Sequence, residues 1–233
     1  MVTLKQGESD EPLVFIHPIG GNLFIYKALV LSLTTDSPIY GIQDFFDEGK
    51  FRDYETLADQ ARYYVQILFE NLGSNCITLA GLSSGGTLAF EMARQCLEYG
   101  VKIKKVLLFD TWIKAPFDQK FKNYFEKIIL RQMEKLQLTH LLKDHDTKVA
   151  WLNFLWKRMG LLLNYIPQPV MVPSVLFTAQ EGVPEYTVDP SVQYARGKFV
   201  SSLQVIPVKG NHETIFDLEY LDELCCHVNM VLA

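Results

Sequence analysis

No apolar run of 18 residues occurs in the sequence, so no membrane-spanning helix is expected. The first twelve residues, MVTLKQGESDEP, lack the basic and apolar regions of a secretory signal, and none is expected. Positive charge is in deficit: 22 lysines and arginines face 27 acids, for a net charge of −5. A nucleic-acid partner is therefore not expected, because binding a phosphate backbone needs a basic surface. Cysteine is scarce. The four present (Cys76, Cys96, Cys225, Cys226) show no metal-ligand spacing. They are expected as reduced, partly buried thiols of a cytoplasmic protein rather than as disulfides. Internal repeats and low-complexity tracts are absent too. What remains is a 233-residue chain with 48% hydrophobic and 21% charged residues, enough to build one large domain around a full core.

Apolar runs and helical periodicities alternate along that chain. Leu13 to Ile16 reads as a strand that ends in His17-Pro18-Ile19-Gly20-Gly21 and opens a helix over about Leu23 to Leu33. A short strand follows at Pro38 to Ile42, then a loop through Phe45 and Phe46. Asp53 is placed to cap an amphipathic helix from about Tyr54 to Asn71, with Leu57, Ala61, Tyr64 and Leu68 along one face. Further strands are expected at Cys76 to Ala80, Val101 to Asp110, Ser174 to Ala179 and Leu203 to Val208. Helices are expected from Ser84 to about Tyr99 and over Ile215 to Leu232. Such alternation points to an α/β fold with a mostly parallel, twisted sheet covered by helices on both faces.

The segment 114–168 interrupts the alternation. It has helical periodicity and many aromatics (Phe117, Phe121, Tyr124, Phe125, Trp151, Phe154, Trp156) but no strand pattern. A helical insertion between two sheet strands is expected to form a lid over the carboxyl ends of the strands, where ligands bind in such sheets. The lid holds ten lysines and arginines against five acids, an excess of +5 that leaves −10 for the body of the domain. That excess reads either as a solvated helical face or as a dock for an acidic partner.

The chemistry is concentrated in CITLAGLSSGGTLAFEMARQC, Cys76 to Cys96. Gly81-Leu82-Ser83-Ser84-Gly85 fits G-x-S-x-G, the pattern that presents a serine on a strained strand-to-helix turn. The pattern is weak by itself, since about one chain in ten of this length would match it by chance. Here an apolar strand precedes it and a helix follows, as the mechanism demands. A serine hydroxyl needs a base. Of five histidines, His140 and His145 fall in polar parts of the lid, His227 lies inside the last helix, and His17 reads as structural. His212 follows a strand and precedes the last helix, the position of the base in this architecture. An acid must orient that base. Asp110 is the first choice, because it ends the strand directly after the elbow helix and so lies at the same edge of the sheet as Ser83; Glu181 and Asp189 are alternatives in the loop after strand 174–179. The backbone N–H groups of Ser84 and Ile19 are the candidate oxyanion donors.

Together these segments resemble the thioesterase domains that release products from non-ribosomal peptide and polyketide synthetases, which have the α/β-hydrolase fold. The resemblance covers nearly the whole chain. It rests on FIHPIGGNLFIYKALVLSL, YGIQ, YETLADQARYYVQIL, AGLSSGGTLAFEMARQ and KGNHETIF, in this order. It implies Ser83 as nucleophile, Asp110 as acid, His212 as base, and Ile19 and Ser84 as oxyanion donors. It also implies a substrate carried as a thioester on the phosphopantetheine arm of an acyl or peptidyl carrier protein. No metal or organic cofactor of the protein's own is expected, and the chain is expected to be a monomer. In the product-releasing domains the acid follows the elbow's neighbouring strand, whereas stand-alone proofreading relatives carry theirs one strand later, where this chain has Glu181. Leu82 departs from the aromatic residue or histidine frequent at that position. Readings outside this resemblance are a general carboxylesterase and a catalytically silent hydrolase fold serving as a binding module.

Overall fold

Alternating side chains on a strand face opposite sides of a sheet, and that period organises the interior. In the strand Leu13–Ile16 (β2), Leu13 and Phe15 join one buried cluster, and Val14 and Ile16 join the other. All four are fully buried, as expected for a strand covered on both faces. The computed structural model describes residues 1–44, 51–74, 76–111, 124–125, 127–131, 134, 144–182 and 199–233. Within these residues seven strands form one sheet: β1 (Val2–Lys5), β2, β3 (Ile39–Ile42), β4 (Cys76–Leu82), β5 (Lys102–Phe109), β6 (Val170–Ala179) and β7 (Val200–Val208). Their order is β1-β3-β2-β4-β5-β6-β7. Only β1 runs antiparallel, pairing with β3.

The strand order reverses at β2. The chain leaves β2 to build β3 on one side, then returns to lay β4 on the other side, in register from Leu13 opposite Thr78 to Ile16 opposite Gly81. The helices after β2 and β4 therefore cover opposite faces. A 3₁₀ turn (Phe24–Tyr26) and α1 (Lys27–Ser32) lie on the face of the final helix, α5 (Leu218–Leu232). The other face carries α2 (Leu57–Asn71) and α3 (Ser84–Glu98). A crevice opens between the carboxyl ends of β2 and β4, where ligands bind in open α/β sheets. The lid's described helical residues are 124–125, 127–131 and 134 and a helix α4 (His145–Asn164), whose Trp151, Phe154, Leu155 and Met159 join the cluster of Val14 and Ile16.

The structure adds one strand and moves the starts of two helices. The edge strand β1 had no expectation, since VTLK is short and only half-buried. The helix α2 starts three residues later than expected and is capped by Thr56, not Asp53: the Thr56 hydroxyl accepts from the Asp59 N–H at 3.1 Å and the Asp59 carboxylate accepts from the Thr56 N–H. Asp53 instead pairs with Lys157 of α4 at 2.8 Å. The last helix begins at Leu218, after turns that run through residues 212–216. Phe45, Phe46, Phe117, Phe121 and His140 lie outside the described residues. The four cysteines are free. No helix among the described residues is long and apolar enough to cross a membrane.

Candidate active site

Ser83 stands where β4 turns into α3, with φ 54° and ψ −123°. That backbone lies in a region L-residues rarely occupy, so the surroundings must impose it. Three glycines allow them to. A Cβ on Gly85 would lie 2.5 Å from the Ile16 carbonyl oxygen and 2.6 Å from that of His17. A Cβ on Gly81 would overlap the backbone of Gly85, and one on Gly86 would overlap the Thr111 hydroxyl. Hydrogen bonds then fix the turn. The Ser83 N–H donates to Phe109 O at 3.0 Å, and its own carbonyl accepts from the Gly86 N–H at 3.0 Å. Just before the serine, the Leu82 N–H donates to the Tyr26 hydroxyl at 2.7 Å, and that hydroxyl donates to Ile16 O at 2.9 Å. Buried Tyr26 thus stitches β4 to β2 beyond the last ladder pair, at the mouth of the crevice.

Asp110 follows β5 at the same edge. Among the described residues it is, with Ser83, one of two non-glycine residues at positive φ, here 38°. Its backbone N–H donates to Phe177 O at 2.8 Å, and its Oδ1 accepts from the Ala179 N–H at 3.1 Å. Its Oδ2 lies 2.6 Å from Nδ1 of His212. A carboxylate only accepts, so His212 carries its proton on Nδ1 and presents the lone pair of Nε2 on the other side of the ring. The His212 loop is built by turns: the Asn211 N–H donates to the Thr214 hydroxyl at 2.8 Å, and the Glu213 N–H donates to Asn211 Oδ1 at 2.9 Å. Gly210, at φ 85°, makes the bend.

The sequence put Asp110 first as the acid, with Glu181 and Asp189 as alternatives. Glu181 is exposed, and its backbone N–H bonds Gly210 O at 3.0 Å. Asp189 lies outside the described residues. The carboxylate that meets His212 is that of Asp110.

Ser83, Ser84, Ile19 and His212 line one cavity of about 100 Å³. The lid closes it with Tyr124, Phe125, Ile128, Ile129, Trp151, Met159 and Leu162, and Ile25 and Leu82 add apolar wall from the body. The first N–H groups of a helix lack intrahelical acceptors, so the Ser84 N–H, at the start of α3, is available beside Ser83. Ile19 sits in the loop after β2, inside a turn closed by Gly21 N–H to Pro18 O at 2.9 Å. Serine, histidine, acid and two backbone N–H groups around an apolar cavity form a constellation suited to acyl transfer.

Sequence reasoning missed two groups near the site. One is Tyr26, whose role depends on a contact 56 residues away in the chain. The other is the buried pair of Asp44 and Arg158, 2.5 Å apart. An arginine between Leu155, Met159 and Leu162 on an apolar helix face was the available signal. Lid cations also reach the body at Arg131, 2.6 Å from Glu213 beside His212, and at Lys157.

Residues 11–229 match the family described as "Thioesterase domain". Gramicidin S synthase 2 of Brevibacillus brevis is 30% identical over 120 residues, 52% of this chain but only 2% of that protein. Thioesterase frbE of Dothideomycetidae sp. (strain 11243) is 26% identical over 245 residues, covering 94% of this chain and 88% of the relative. The solved NocB thioesterase domain, in covalent complex with a fluorophosphonate nocardicin G analog, superposes with a TM-score of 0.76 at 24% identity, over 96% of this chain and 95% of that one. A four-domain nonribosomal peptide synthetase, AB3403, contains the same fold over 20% of its chain, with a TM-score of 0.75 at 19% identity and 98% of this chain covered.

Proposed function

The chain belongs to the thioesterase-domain family, and from that premise we propose that it takes an acyl or peptidyl group from the phosphopantetheine thioester of a carrier protein and releases it through an acyl-Ser83 intermediate. One observation carries the reading. Ser83 and His212 line a single apolar cavity, and Nδ1 of His212 is bonded to the buried carboxylate of Asp110 at 2.6 Å.

This geometry supports the following proposed steps. Ser83 Oγ attacks the thioester carbonyl carbon while His212 Nε2 takes the hydroxyl proton, and Asp110 stabilises the imidazolium that results. The carbonyl π pair moves onto oxygen, and the N–H groups of Ile19 and Ser84 receive that oxyanion. Collapse restores the carbonyl, breaks the C–S bond and sends the proton from His212 to the departing pantetheine sulfur. Water, or an amine or hydroxyl of the acyl chain, then attacks the ester with His212 again as base, and Ser83 regains its proton. The protein supplies no metal or organic cofactor to these steps; the pantetheine arm belongs to the carrier. The apolar lid favours a bulky or long uncharged acyl group and keeps adventitious water away from the ester. We further propose that the protein acts as a monomeric single domain in the cytoplasm.

The acid on the strand after the elbow supports the product-releasing type. The match to frbE over most of that protein's length supports a second reading, a stand-alone thioesterase that clears unwanted acyl groups. Carrier dependence tests the proposal against general ester hydrolysis. The same acyl group is offered on a carrier protein and as a soluble oxygen ester, and kcat/KM is expected to be higher for the carrier thioester. Faster turnover of the soluble ester contradicts it.

A further inference from the structure

The loop that carries Ile19 rests on a buried polar chain that runs to the lid. His17 is buried, with Nδ1 2.6 Å from the Pro18 carbonyl oxygen and Nε2 2.7 Å from the Tyr64 hydroxyl. A carbonyl only accepts, so Nδ1 bears the proton. Burial pushes the ring's pKa down and keeps it neutral. Nε2 then accepts from the Tyr64 O–H. The Tyr64 oxygen accepts in turn from Gln60 Nε2 at 2.9 Å, and the same amide nitrogen lies 3.3 Å from Asp44 Oδ2. That carboxylate oxygen accepts from Arg158 Nε of α4 at 2.5 Å, and Arg158 Nη2 donates to Arg52 O at 2.6 Å. The Arg158 guanidinium sits over the rings of Tyr54, Phe154 and Phe51, at 4.7, 4.9 and 5.6 Å from their centroids.

The Pro18 carbonyl and the Ile19 N–H are two ends of one trans peptide, so they point in opposite directions. That carbonyl accepts twice, from His17 Nδ1 and from the Gly21 N–H. Two donors on one carbonyl fix the plane of the peptide and polarise it, which strengthens its N–H as a donor. We infer that His17 positions the Ile19 N–H for oxyanion binding, and that Tyr64, Gln60 and Asp44 tie this donor to Arg158, so that seating of the lid helix sets the strength of the oxyanion site. This rests on the proposed acyl transfer with Ile19 as a donor. None of the five side chains lines the cavity, so they act as positioning residues. Asp44 is also bonded through its own N–H to Gly21 O at 2.9 Å, a second tie between the network and the loop.

The test uses the full chain with its preferred acyl thioester and a matching trifluoromethyl ketone, whose adduct with Ser83 carries an oxyanion. Tyr64→Phe removes one hydroxyl and little volume. It is expected to lower kcat roughly tenfold, less than the loss of a whole oxyanion donor. KM should stay within about twofold, and ketone affinity should fall by the same factor as kcat. The double variant Asp44→Leu/Arg158→Met removes both charges of the pair that joins lid to body, leaving neither unpaired. It is expected to show the same parallel loss, and it decides the matter if Tyr64→Phe does not fold. A loss confined to KM, or unchanged kcat and ketone affinity, overturns the inference; with Ser83→Ala inactive, the thioesterase reading survives. Wild-type turnover by Ser83→Ala would sink that reading itself.

Discussion

Ser83 and Asp110 hold the two positive-φ backbones outside glycine among the described residues, and each is part of the candidate triad. Such conformations cost about 1–3 kcal/mol apiece and persist only where neighbours over-determine them. At Ser83 the neighbours are three glycines and the Phe109 carbonyl. At Asp110 they are the backbone groups of Phe177 and Ala179. The acid assignment gives the first prediction at this scale. Asp110→Asn is expected to lower kcat by about 10³–10⁴-fold, because the amide no longer fixes the tautomer or balances the imidazolium. Glu181→Gln is expected to change it less than about twofold, since the exposed side chain is not the partner of His212. Parallel rate measurements on the two variants decide it, and a larger loss at Glu181 contradicts the assignment. The sequence named Ser83 and His212 through their positions between elements, which local patterns reveal. It favoured Asp110 by its place at the end of the strand after the elbow, but could not exclude Glu181 and Asp189, because the contact with His212 depends on strand stagger and on a backbone turned to φ 38°.

Among the elements, the two strand ends that flank the crevice matter most. The sheet registers Ile16 opposite Gly81, and one residue further the chains diverge toward the Ile19 loop and the Ser83 elbow. Tyr26, from the 3₁₀ turn, fills that fork and bonds a backbone group on each side. Tyr26→Phe leaves a buried N–H and a buried carbonyl without this partner, at about 1–3 kcal/mol for each group left unsatisfied. Thermal unfolding is expected to drop by several degrees, at about 2–4 °C per kcal/mol for a chain of this size. The kcat is expected to fall with it, since the elbow and the oxyanion loop lose a common tether. An unchanged melting temperature would show that water or a backbone shift replaces the hydroxyl. The core strands and long helices were legible because buried strands carry unbroken apolar runs and helices carry periodic faces. The cap was misplaced by three residues because Asp53 and Thr56 are both good caps. Only the return bond from Asp59 separates them, and that signal was present as Thr56…Asp59. The edge strand β1 escaped notice because its pairing with β3 lies in the fold, not in its four residues.

The whole molecule sets a basic lid on an acidic body, and the structure gives part of that charge an internal use. Arg158 pairs with Asp44, Lys157 with Asp53 and Arg131 with Glu213, so three of the lid's cations are directed at acids of the body. Exposed pairs of this kind contribute little to stability. The buried Arg158–Asp44 pair differs, because removing one partner strands a charge, at about 3–5 kcal/mol. Two of these ties end beside the candidate chemistry, one next to His212 and one in the network under Ile19. The lid is thereby keyed to the site it roofs. These arrangements converge on Ser83 as the proposed carrier of the acyl group. Intact-mass measurement after mixing the protein with an acyl-pantetheine thioester tests this most directly. A mass gain equal to the acyl group less one hydrogen, mapped to Ser83 by peptide analysis, is expected. Ser83→Ala should show no adduct and a rate of thiol release lower by several orders of magnitude. Thiol release by Ser83→Ala at the wild-type rate, or an acyl group mapped to another residue, would contradict it.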